Sequence, residues 1–213
     1  MSETAMLFVH DEGQKAIMDV AAQCFLERGF HATSIDDVAR RLGSTKGRVY
    51  HFFASKADLL FAVAEHGMDV NFKAIEPYLD ADMPAIKKLY EMAIAHTLAM
   101  INYRPYQNAV WQGVEIYMRG ATTPEQRERL STLVDTRDRY STLFRSVLEQ
   151  ARDDGALSYR DGSIARQLMF MTLNSPVFWY KPREGETDAD RLSIARQCVD
   201  FALSGLDARH AAV

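Results

Sequence analysis

Apolar side chains recur at helical spacing along nearly the whole chain, and the residues that break such a pattern fall between the stripes. Ile17, Val20, Ala21, Cys24 and Phe25 follow i, i+3, i+4, i+7, i+8, one continuous helix face, and Gly29 stands where a C-terminal cap would. Only 6 prolines and 11 glycines occur in 213 residues, and they punctuate helical stripes rather than strands, so the sequence specifies an all-α fold.

The same spacing predicts a first helix near 11–28. Thr33 and Ser34 offer caps to a short second helix with Asp36 and Asp37 in its first turn and Ile35, Val38, Ala39 and Leu42 as its stripe, ending at Gly43. Thr45 caps a third, with Val49, Phe52 and Phe53 pointing inward, and Ser55 caps a longer fourth through Leu59, Val63, Met68, Phe72 and Ile75 to a break at Pro77. Further helices are expected near 84–102, 105–119, 123–153, 161–176 and 188–206, with a capping box at Thr123–Gln126 and a charged connecting loop at Lys181–Asp190.

Charge excludes a polycationic surface, because 29 acidic residues outnumber 25 basic ones. Contact with nucleic acid must come from a local patch. The longest apolar run, Leu59–Ala64, is six residues, far below the ~20 that a membrane helix requires. Met1–His10 carries Glu3 where a secretory signal would be basic, which predicts a cytoplasmic protein. Cys24 and Cys198 fall at apolar helical positions and are expected to be reduced core thiols.

Three short helices in succession, the second and third joined by a tight glycine turn, suit a helix-turn-helix whose last element lies in the DNA major groove. Between Arg40 and Lys56 stand Arg40, Arg41, Lys46, Arg48 and Lys56 with no acidic residue. Such a stretch alone reads as a solvated face. The segment Thr33–Leu60 (TSIDDVARRLGSTKGRVYHFFASKADLL), with Ala21, Phe25, Gly29 and Phe30 before it, resembles the signature of TetR-type transcriptional regulators. Ser44 and Arg48 depart from the usual pattern, which has an apolar residue and a small hydroxyl residue there. The resemblance implies that Thr33, Tyr50 and Lys56 touch phosphates, that Thr45, Lys46, Arg48 and His51 face the groove, and that Gly47 allows close backbone approach. Arg48 is a candidate for bidentate contact with guanine.

The resemblance divides the chain into a helix-turn-helix DNA-binding domain at 10–56 and a helical ligand-binding and dimerisation domain at 57–210. Met68, Phe72, Trp111, Glu115, Tyr140, Phe144, Asn174 and Phe178 are the candidate pocket residues, large apolar groups with isolated polar ones among them. Asn174–Gly185 (NSPVFWYKPREG), with the final helix ending Ser204-Gly205-Leu206, resembles regulators that respond to acyl-coenzyme A compounds, including sterol-catabolism repressors. Helices 161–176 and 188–206 are apolar on two faces, so Leu168, Met171, Val199, Phe201 and Leu203 are expected in a two-fold dimer interface.

The expected function is a homodimeric repressor, released from a palindromic double-stranded operator by a hydrophobic small molecule, with an acyl-coenzyme A among the candidates. No catalytic residue, metal site or cofactor is assigned, since the six histidines form no HExxH pair and no glycine-rich phosphate loop occurs. The alternative is a helical small-molecule-binding protein or enzyme that keeps the amino-terminal fold without binding a specific operator. The basic Arg40–Lys56 run favours DNA.

Overall fold

The computed structural model describes residues 12–119 and 123–206, so the expected outer boundaries at 10 and 210 lie outside the described residues. Among those residues it is all-α: α1 (Glu12–Arg28), α2 (Ile35–Arg41), α3 (Lys46–Phe52), α4 (Lys56–Leu79), α5 (Ala85–Asn102), α6 (Arg104–Arg119), α7 (Pro124–Asp153), α8 (Gly162–Asn174), α9 (Pro176–Trp179) and α10 (Asp188–Ser204). By packing, the described residues up to Val70 and within Pro105–Arg137 form one compact unit, and those within Asn71–Arg104 and from Asp138 to Leu206 form the other. The 10–56 and 57–210 division is one of expected role, and it cuts through the core of the first unit.

That core joins Ile17, Ala21 and Phe25 of α1, Val38 of α2, Val49 of α3, Leu59, Leu60 and Val63 of α4, and Tyr106 and Ala109 of α6. The short helices α2 and α3 are below the length at which helices persist alone, so burial and caps must hold them. Ser34 caps α2 in a capping box with Asp37, and Thr45 caps α3 by accepting from the Arg48 N–H at 3.3 Å. Between them Gly43 takes φ +67, the Gly43 N–H donates to Arg40 O and the Ser44 N–H to Ala39 O, a Schellman stop that only a residue tolerating positive φ makes without strain.

In the second unit, Leu89, Met92, Ala93 and Met100 of α5, Phe144 and Leu148 of α7, Met169 and Leu173 of α8, and Ala195 and Val199 of α10 are all buried. Pro77 does not end α4, which continues to Leu79. The proline lies in the last turn, where its missing N–H removes one bond close to a stop that follows anyway. The segment expected as the tail of the 161–176 helix instead ends at Asn174, and Pro176 starts the separate short α9, for which its fixed φ is suited.

Candidate functional site

Val49 is the one residue of α3 that is fully buried, and it fastens the helix to the core. Lys46, Gly47, Arg48, Tyr50 and His51 are exposed, as is the capping Thr45. A Cβ added to Gly47 would meet only Thr45 Oγ1, at an ordinary 3.9 Å. The protein's own packing therefore leaves room for a side chain at Gly47, and the open space belongs to whatever approaches from outside.

The basic run is not an unopposed patch. Arg41 pairs with Glu27 at 2.5 and 3.0 Å, Arg40 reaches Asp37 at 3.4 Å, and Lys46 meets Asp36 at 3.0 Å. The Arg41 guanidinium, with a further bond from Gln23, brings the Glu27 carboxyl down to about 2. Each pair is exposed, so solvent screens it and it adds little to stability.

Two residues expected on phosphates are turned inward. Thr33 is buried, and its hydroxyl donates to Gly29 O at 2.8 Å and Cys24 O at 3.2 Å. Lys56 Nζ donates to the carbonyls of Phe30 and Thr33 at 2.7 Å and of His31 at 3.3 Å, with its charge 4.4 Å from the Phe30 ring centre. Partial burial lowers the Lys56 pKa. Both side chains hold the turn from α1 into α2, and so place α2 and α3 rather than offering free groups at the surface.

In the second unit, four of the expected pocket residues, Phe72, Tyr140, Phe144 and Asn174, come together with a histidine, His96, for which the sequence indicated no role. Phe72 and Tyr140 lie 5.1 Å apart edge to face, and Tyr140, Phe144 and Phe170 enclose the His96 ring at 5.5–5.9 Å. Asn174 Oδ1 accepts from His96 Nε2 at 3.0 Å, which leaves Nδ1 unprotonated to accept the Tyr140 hydroxyl at 2.9 Å. Burial holds the imidazole down to about 4, only partly opposed by the bond to Asn174, so the chain Tyr140–His96–Asn174 is neutral. The rings pack against one another, and both His96 nitrogens are satisfied within the cluster. Phe178 is exposed in the same unit, while Met68, buried, and Trp111 and Glu115, exposed, belong to the first.

On the last helices, the residues expected at a dimer interface fall on two different faces. On α8, Ile164, Leu168 and Met171 are exposed, and on α10 so is Phe201, 76% accessible. Leu168, Met171 and Phe201 border an apolar groove of ≈ 870 Å³ whose walls also include Trp179 and Cys198. Val199 is fully buried in the monomer, and Leu203 is half-buried and not on the groove. Val199 and Phe201 are two positions apart, a turn of about 200° that sends them to opposite faces.

Among the described residues, no helix is long and apolar enough to cross a membrane, and no three His, Cys, Asp or Glu side chains cluster as metal ligands.

Residues 17–63 match the family described as bacterial regulatory proteins, tetR family, and residues 82–206 match the tetracyclin repressor-like C-terminal domain. The transcriptional repressor KstR2 of Rhodococcus jostii (strain RHA1) is 27% identical over 195 residues, 91% of this chain and 91% of KstR2. The transcriptional activator FasR of Mycolicibacterium smegmatis is 24% identical over 196 residues, 92% of this chain and 84% of FasR. The solved structure of AibR in complex with isovaleryl coenzyme A and operator DNA shares the fold with a TM-score of 0.70 at 21% identity, over 92% of this chain and 98% of AibR.

Proposed function

The chain belongs to the TetR family of bacterial transcriptional regulators, and we propose that it is a homodimeric repressor that leaves a palindromic operator when a hydrophobic small molecule binds its carboxy-terminal part. The observation that carries this reading is the outward face of α3, where Lys46, Gly47, Arg48, Tyr50 and His51 stand exposed around a single buried anchor, Val49. Thr45, Lys46, Arg48 and His51 would read bases and Tyr50 a phosphate, while Thr33 and Lys56 would act by placing α3. Phe72, Tyr140, Phe144 and Asn174, with His96 among them, would take the effector. A second copy would cover Leu168, Met171 and Phe201. Repression rather than activation is supported by the likeness to KstR2, although FasR is an activator.

An acyl-coenzyme A thioester is the favoured effector, because AibR, a protein of this fold, was solved with isovaleryl coenzyme A and operator DNA. Release requires only that the effector bind the DNA-competent and DNA-incompetent states unequally. A coupling of ~1–3 kcal/mol weakens operator binding about 5- to 150-fold, and DNA weakens effector binding by the same factor. The protein would work in the cytoplasm, as a regulator of this kind and not as an enzyme.

Selection of bound fragments from random DNA, followed by release with a series of acyl-coenzyme A compounds, tests the proposal directly. A palindromic consensus and release by at least one thioester are expected. Gly47→Ala supplies the control for α3: helix propensity should raise stability by about 0.5–1 kcal/mol while the added methyl weakens DNA binding. If Gly47→Ala binds the consensus as tightly as wild type, α3 does not approach DNA as proposed.

A further inference from the structure

Asp36 is a carboxylate standing beside the face that phosphates would approach. It sits in the first turn of α2, and its Oδ2 accepts the ammonium of Lys46, the first residue of α3, at 3.0 Å. Their side chains are 55% and 50% exposed, so the pair bridges the two helices across the Gly43 turn at the leading end of α3. Folding explains the carboxylate only through its favourable place in the first turn of α2: the capping box uses Asp37, and the ion pair with Lys46 is exposed and screened by solvent. Among the described residues, Asp36 Oδ1 takes no donor, and Lys46 uses one of its three N–H groups on Asp36.

Toward DNA such a carboxylate repels every sequence alike, and it gains only where a base presents a donor. In the major groove that donor is cytosine N4, and the complementary acceptors for an ammonium are guanine O6 and N7. Guanine O6 and cytosine N4 are themselves joined by a Watson–Crick hydrogen bond of roughly 2.9 Å, close to the Lys46–Asp36 separation. An ammonium and a carboxylate held at that spacing can lie against the edge of one base pair, donor over acceptor and acceptor over donor. We propose that Asp36 and Lys46 act together as a reader of one G·C pair in each half-site, with Asp36 setting specificity at the expense of general affinity. This rests on the reading that α3 enters the major groove.

Fragments should be selected from random DNA in parallel by wild type, Asp36→Ala, Asp36→Asn and Lys46→Ala, with circular dichroism melting to show that each variant is folded. The wild-type half-site is expected to hold one G·C pair whose preference falls about 5- to 100-fold in both Asp36→Ala and Lys46→Ala. Asp36→Asn should admit adenine at the cytosine position, and Asp36→Ala should bind unrelated DNA more tightly than wild type. The double variant should lose no more at that pair than either single variant. If wild type enriches a half-site and Asp36→Ala keeps every preference in it, the regulator reading stands and the Asp36–Lys46 assignment is overturned. If wild type enriches no sequence, both fall.

Discussion

Gln112 on α6 accepts the backbone N–H of Phe30 at 2.7 Å across 82 residues of sequence, and its Nε2 donates to Phe25 O at 3.0 Å. One amide thereby grips the chain on both sides of the stop that ends α1. From the same helix, the Tyr106 hydroxyl donates to Asp19 at 2.6 Å, so α6 holds α1 at two levels. Gln112→Leu preserves bulk but leaves the Phe30 N–H unpaired, which should lower stability by about 1–3 kcal/mol and speed exchange of that amide. Denaturant unfolding and amide exchange check both, and unchanged Phe30 exchange in Gln112→Leu would refute the role.

Gln112 also marks what local pattern can reveal. The helices were legible because their apolar periodicity, their caps at Ser34, Thr45 and Thr123, and the stop at Gly43 are written within a few residues of one another. The outward face of α3 was legible too, since Val49 is its single fully buried residue. Contacts distant in sequence were not. Lys56 looks like a phosphate-seeking cation until the carbonyls of residues 30, 31 and 33 are found around its ammonium. The basic run looks unopposed until α1 and the start of α2 bring Glu27, Asp36 and Asp37 beside it. His96 carried no signal beyond its place on a helix; only the fold supplies Tyr140 and Asn174, 44 and 78 residues away. Asp36 could have been noticed as an acid next to a motif that implies DNA, but the helix dipole offered a sufficient explanation for it and for its neighbour Asp37.

Burial of neutral His96 makes stability depend on pH in a definite window. Its folded pKa, about 4, lies below the ordinary 6.5, so as pH falls the unfolded chain takes up the proton first. The contribution is complete above pH 6.5, is lost as pH falls toward 4, and does not change further below that. The slope within the window approaches at most ~1.4 kcal/mol per pH unit for one proton. Urea unfolding of wild type and His96→Gln between pH 4 and 7 should show a shallower dependence in the variant. Parallel curves would mean that the acid sensitivity arises elsewhere.

Val199 and Phe201 separate the two faces of α10 by experiment as they do by geometry. Val199 is fully buried within the monomer, so Val199→Asp places an unpaired carboxylate in the core and should destabilise folding by more than about 3 kcal/mol. Phe201 is 76% exposed and lines the groove between α8 and α10, so Phe201→Glu removes nothing from the monomer core. It does place charge where the proposed second copy would bury apolar surface. The expected outcome is a folded Phe201→Glu protein with wild-type helicity that sediments as a monomer at micromolar concentration, where wild type sediments as a dimer. Its affinity for a full palindrome should drop to that for one half-site, because the two DNA-reading parts are no longer joined. A Phe201→Glu protein that stays dimeric would move the interface off this groove, and one that fails to fold like Val199→Asp would show that Phe201 supports the monomer.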